Sequence, residues 1–240
     1  MPSRLIASVR SAAPLWAAIL LLFGGQVLVS QHLKPFRPAI EEMPYPPNPL
    51  ALKALGLGDD QFLFRAEVSW LQGVGDGGGR LKPLKDYDYD RVIEWLRVID
   101  GLDPQSRSLF EVGARYFGAI SDPGSAPLKL KALATYFLEV GMSDPAQRWP
   151  WLVWAAVKAQ HTIGDKELAR RAADQLMSLR GAAGAPYWLP LLAPPLYRAA
   201  GDSDRAALVM ADPDMIRLRQ RAFTELNGRL SQMGSFDLNQ

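Results

Sequence analysis

The sequence predicts an all-α chain, with one N-terminal transmembrane helix followed by an α-solenoid of antiparallel helical hairpins. Three observations carry this. Ala12 to Gln31 is a run of twenty residues without a charged side chain. From Asp59 onward, every periodic segment repeats its apolar residues at helical spacing, and none alternates over the length of a strand. Turn and small residues then recur at fixed intervals. Trp151 and Trp188, Gly164 and Gly201, Asp165 and Asp202, and Ala169 and Ala206 each stand 37 apart, and Leu102-Asp-Pro104 and Ser143-Asp-Pro145 stand 41 apart. Periods of this size are those of stacked helical hairpins, each hiding its apolar face against the next.

The elements follow in order. Residues 1–11, with Arg4 and Arg10, read as a short cytoplasmic segment, and residues 12–31 as a signal-anchor. Twenty residues of helix reach about 30 Å, the thickness of a bilayer core. The basic residues before the run orient the rest of the chain outward, which places the C-terminal domain in the periplasm on a bacterial inner membrane. Lys34 and Arg37 nearly balance that signal on the far side. Ser30 is small enough to precede a signal-peptidase cut, but Leu28 two residues earlier is bulkier than such a cut favours. Gly24 and Gly25 would let a second membrane helix approach closely, which makes an accessory subunit held through this helix one alternative.

Residues 32–58 contain Lys34-Pro-Phe-Arg-Pro38 and Pro44-Tyr-Pro-Pro-Asn-Pro49, so they read as an extended, semi-rigid Pro-rich linker. A partner groove lined with aromatics could instead read Pro44 to Pro49, with Tyr45 as its anchor.

Residues 59–240 form the helical domain. Leu63, Ala66, Trp70 and Val74 share one face of its first helix, which stops at glycines. Tyr89, Val92, Ile93, Leu96 and Ile99 mark the next, with Asp86, Asp88 or Asp90 able to cap it. Further helices span Leu109 to Ile120, Ala126 to Val140, Trp149 to Thr162, Lys166 to Arg180, Tyr187 to Ala200 and Asp204 to Met210. A capping helix over residues 213–233 closes the series, with Asp212 as its cap and Met215, Ala222, Leu226, Leu230 and Met233 on one stripe.

Between about Asp103 and Met210 these residues resemble a degenerate tetratricopeptide repeat. Tyr197, Gly201-Asp202 and Ala206 match that family's first-helix aromatic, its Gly-Asp turn and its second-helix small residue. Leu109, Val112-Gly113 and Tyr116, with Ala132, match an earlier repeat, and Gly164-Asp165 with Ala169 match a middle one. Gln160 stands where the middle repeat's aromatic belongs, and Pro190, Pro194 and Pro195 break the last repeat's first helix. The resemblance implies a tetratricopeptide-like α-solenoid that mediates protein–protein contact. Independently of it, Ala132, Ala169 and Ala206 let helix axes approach closely, and Gly164 and Gly201 can end helices in the left-handed conformation.

Composition excludes several function classes. The chain has 27 Lys and Arg, 25 Asp and Glu, and no Cys. Beyond the first ten residues the charges cancel, so there is no basic footprint for nucleic acid. Thiolate metal sites, disulfides and thiol nucleophiles are absent. Gly73-Val-Gly75-Asp-Gly77-Gly78 contains G-x-G-x-x-G but follows a helix, where a dinucleotide site needs a strand. Asp86-Tyr-Asp88-Tyr-Asp90 imitates a calcium loop, but Arg91 and Arg97 occupy the positions that need Gly and Glu. His32 and His161 lack spaced partners for metal or nucleophilic chemistry.

No catalytic, cofactor-binding or metal-ligating residue is therefore singled out, and no cofactor is expected. The candidates for partner binding are Trp149, Trp151, Trp154 and Tyr45, since Trp and Tyr dominate interface hot spots when exposed. The sequence reading is a non-catalytic, membrane-anchored scaffold or assembly factor with protein partners, most simply other subunits of a membrane complex. The reading from another class is a cofactor-free hydrolase using acidic residues.

Overall fold

The computed structural model describes residues 14, 16–29, 43–76 and 81–234, with the side chains of 230–234 outside that description. The chain separates into two compact units. One comprises Met1–Glu42 with Gly75–Lys82, and the other Met43–Val74 with Pro83–Gln240.

In the first unit, residues 16–29 form helix α1, whose large apolar side chains are mostly exposed, Leu21 at 76% and Trp16 at 61%. No helix among the described residues is long and apolar enough to cross a membrane. This corrects the expectation of a single-pass transmembrane signal-anchor over 12–31, and with it the membrane, periplasmic and inner-membrane placement. The accessory-subunit alternative rested on that same membrane helix. The cytoplasmic reading of 1–11 lies outside the described residues. The remaining described feature of this unit is an isolated antiparallel bridge, Asp76 to Leu81, with Lys82 N–H donating to Gly75 C=O at 2.9 Å.

The second unit is all-helical among its described residues: α2 (Pro49–Leu55), α3 (Asp60–Gly73), α4 (Tyr89–Asp100), α5 (Ser108–Glu111), α6 (Ala126–Ser143), α7 (Pro145–Lys158), α8 (Lys166–Ser178), α9 (Ala193–Ala199), α10 (Ser203–Ala211) and α11 (Pro213–Gly234). Aspartates open most of them. The side chains of Asp59, Asp88, Asp144, Asp165, Asp202 and Asp212 each accept from a backbone N–H in the first turn of α3, α4, α7, α8, α10 and α11. Each cap satisfies one of the donors that a helix start leaves unpaired.

Part of the Pro-rich segment departs from the linker expected over 32–58. Asn48 caps α2, and Pro49 fits its first turn because no N–H is needed there. The preceding extended residues lie along α4. Arg91 Nη1 donates to Met43 C=O at 2.9 Å and Trp95 Nε1 to Pro44 C=O at 2.8 Å, while Met43 and Leu52 are buried. Residues 32–42 lie outside the described set.

From residue 108 the helices pair as hairpins. Two of them share one joint. Gly164 and Gly201 take φ of 70° and 80°, and Asp165 and Asp202 then cap α8 and α10. Left-handed backbone is the conformation that favours glycine, so each turn needs that residue at that point. Ala169 and Ala206 are buried where paired helices meet, whereas Ala132 is only half-buried.

Two first helices relax into π-helical turns, Val112–Tyr116 after α5 and Ala159–Ile163 after α7. The core is continuous and aromatic at its centre, where the Phe137 ring packs against Phe110, Trp151 and Trp154 at centroid distances of 5.6, 4.9 and 4.8 Å. Glycine makes this density feasible. A Cβ on Gly118 would lie 2.5 Å from the Trp154 ring, and one on Gly141 would lie 2.6 Å from Leu152.

Candidate functional site

The residues singled out from sequence scatter rather than converge. Trp151 is 3% exposed and belongs to the core, where Arg148 lies over its ring. Trp154 is half-buried between Phe137 and Lys158, whose Nζ is 5.5 Å from its ring. Trp149 is half-buried and meets Trp188 edge-on at 5.5 Å. Tyr45 is 65% exposed beneath the Arg91 guanidinium, 4.4 Å from the ring centre. Gly24 and Gly25 have open space where a Cβ would stand. His161 is exposed on the second π-turn, and His32 lies outside the described residues. Among the described residues no group of three or more His, Asp or Glu could hold a metal ion.

Titration points to structural ties. Arg148, 7% exposed, donates to Asp100 Oδ2 at 2.8 Å and to Pro104 C=O at 2.7 Å, fastening α7 to the end of α4. Burial holds the Asp100 carboxyl above its ordinary value, against the opposing pull of Arg148. Burial also pushes the Tyr136 hydroxyl upward, and that buried oxygen has no hydrogen-bond partner among the described residues. The Tyr87 and Tyr89 hydroxyls donate to Val74 C=O and Phe117 C=O, both at 2.6 Å, and burial raises both. Phe117 follows the first π-turn, where the helical ladder is interrupted, so Tyr89 supplies a donor that the helix does not. The Tyr197 hydroxyl, pushed up to about 12 by burial and then by its 2.6 Å hydrogen bond to Asp174, ties α9 to α8.

Hollows among the described residues include three in the helical unit. One of about 110 Å³ between α6 and α8 contains Lys131, Asp165, Arg171 and Thr135, but Lys131 pairs with Asp165 and Arg171 donates to Thr135 at 3.1 Å. Another of about 200 Å³, between α2 and α4, contains Lys53 and Arg97, which pair with Asp60 and Glu139. The third, about 220 Å³, lies among α9, α10 and α11 and the 3₁₀ turn Leu189–Leu192. Its floor is Leu191, Pro194, Pro195, Met210 and Met215, and its rim is Arg198 and Arg219.

Local sequence builds this third cleft. Pro194 and Pro195 fall in the first turn of α9, where a missing N–H costs nothing, and Arg198 follows one turn later on the same face. Met210 ends α10, and Met215 and Arg219 stand four apart on α11. Arg198 reaches the Met210 sulfur at 2.7 Å. Neither Arg198 nor Arg219 meets a carboxylate among the described residues, although most arginines of this unit do. Sequence reasoning passed over the cleft because its prolines read as departures from a repeat and its arginines as surface charge. The signal available was two arginines and two methionines placed at the ends of three successive helices.

Comparison with protein-family models, with curated proteins and with solved structures finds no match.

Proposed function

We propose that this protein is a non-catalytic helical scaffold that holds a segment of a partner protein in the cleft between α9, α10 and α11. The observation that supports this is the cleft's make-up, an open apolar floor of prolines and methionines with cations at its edge. Such a surface resembles the apolar core and polar rim of a protein interface. Its volume is below the roughly 300–1,000 Å³ usual for a small-molecule site, and so fits one or two anchoring side chains of a larger partner. The consecutive hairpins supply a rigid support for it, as stacked helical repeats do in the tetratricopeptide family. Asp100 and Tyr136, whose values burial raises, lie away from the cleft, which supports a docking role over an acid–base one.

A photo-crosslinking residue placed at Met210 tests the reading, with one at exposed His161 as the control position. A partner chain captured at Met210 but not at His161, which then binds the purified protein and is lost on Leu191→Glu without a change in melting temperature, is the expected result. Capture at both positions alike, or at neither, would show that the cleft is not where this chain meets a partner.

A further inference from the structure

The chemistry of the occupant can be read from the cleft, and this step rests on the docking reading above. We propose that the bound segment carries an acidic side chain next to a bulky apolar one, with the carboxylate held between Arg198 and Arg219 and the apolar group seated on Leu191, Pro194 and Met215.

Charge complementarity carries the argument. Within this unit Arg97 pairs with Glu139, Arg148 with Asp100, Arg180 with Asp212, Arg205 with Asp174 and Arg221 with Glu225, each within 3.0 Å, while Arg65, Arg107, Arg171 and Arg229 also have no carboxylate partner among the described residues. Arg198 and Arg219 are exposed, have no such partner among the described residues, and flank one hollow from two different helices. Guanidinium groups present a planar fork that matches a carboxylate, and an apolar border screens such a pair from water and strengthens it. The Met210 sulfur lies beside the Arg198 guanidinium and brings no charge to neutralise it.

The apolar half of the ligand follows from shape. About 220 Å³ accepts a leucine- or phenylalanine-sized group, while a longer chain would leave the hollow within one or two residues. That requires acid and anchor to be close neighbours in sequence, or one helical turn apart. A protein segment meets the requirement through its side chains, so the acid need not be a chain terminus.

A random-sequence peptide library selected on the full-length protein, with counter-selection on Leu191→Glu, tests the inference. Enriched peptides should carry Asp or Glu within one turn of Leu, Ile, Phe or Met. Resynthesis of one such peptide with Asn or Gln in place of its acid should weaken binding about tenfold. Arg198→Gln combined with Arg219→Gln should weaken the acidic peptide by a similar factor and abolish its advantage over the amide version, at an unchanged melting temperature. If enriched peptides are apolar but acid-free and still depend on Leu191, the docking reading stands and the acidic occupant is wrong. If no peptide prefers the wild-type chain over Leu191→Glu, the docking reading fails along with it.

Discussion

At the scale of single residues, close packing decides more than charge does. Gly141 lies inside α6, where alanine would ordinarily be the better helix former by up to about 1 kcal/mol. Its added methyl, however, would meet Leu152 Cγ and Cδ2 at 2.6 Å and the Leu152 backbone nitrogen at 3.2 Å. The side chain can shift but the backbone cannot, so overpacking outweighs propensity. Gly141→Ala should therefore destabilise the domain by about 1–2 kcal/mol, measured by denaturant melts. Leu152→Ala added to Gly141→Ala should cost less than the sum of the two single changes, because each relieves the other's site. Strict additivity would mean that α6 and α7 do not touch at this point. Neither residue announced this in the sequence: a glycine within a helix reads as a weakness until its neighbour across the interface is known.

Single elements show which parts of the sequence could be read and which could not. The 3.6-residue period marked the regions of α3 to α11, although the helix expected over Leu109 to Ile120 divides into α, π and 3₁₀ turns and the one expected from Tyr187 becomes α-helical only at Ala193, and the spacing of 37 between Gly164 and Gly201 located a shared joint. Two readings were corrected, the first because it depends on tertiary contact. The Pro-rich segment is docked by the carbonyls of Met43 and Pro44 on Arg91 and Trp95, residues nearly fifty positions away. The charge-free run at the N-terminus is the other, where no helix among the described residues is long and apolar enough to cross a membrane. The terminal helix is a further case. Met215 is buried, but Phe223 and Leu226 further along the same helix are 65% and 55% exposed. Only the first half of α11 therefore closes the stack. Deletion of residues 227–240 should leave the melting temperature within about 2 °C of the full chain, since surface changes of this kind are worth about 0.5 kcal/mol or less. A larger fall in a calorimetric scan would show that the outer half of the helix also supports the fold.

For the molecule as a whole, acid stability should be set by carboxylates that the folded chain keeps ionised. The Asp165 carboxyl is held below its ordinary 3.8 by the Lys131 hydrogen bond and then by Leu168 N–H, and Asp212 is held down by Arg180 and then by Asp214 N–H. A carboxyl with a lower value folded than unfolded contributes stability above the unfolded value. That contribution is lost as pH falls through the folded one. Asp100 acts in the opposite sense, because burial raises it, and so it offsets part of the loss as it takes up a proton. Circular dichroism melts should thus give a steady melting temperature between about pH 7 and pH 5 and a fall below about pH 4. Asp165→Asn and Asp212→Asn should each lower the plateau and flatten the fall. A wild-type curve that stays level down to about pH 3 would mean that these groups titrate alike in the folded and unfolded chain.

The cleft's two walls differ in stiffness. Pro194 and Pro195 fix their own φ angles, so under the proposed docking this side of the cleft would lose little conformational freedom on binding. Met210 and Met215 form the opposite wall from unbranched side chains that can change rotamer and re-pack. A rigid wall fixes where a ligand's backbone runs, while a pliable one accepts more than one anchor. If the cleft docks a partner as proposed, binding should select strictly for charge and position while tolerating Leu, Ile, Phe or Met at the seat.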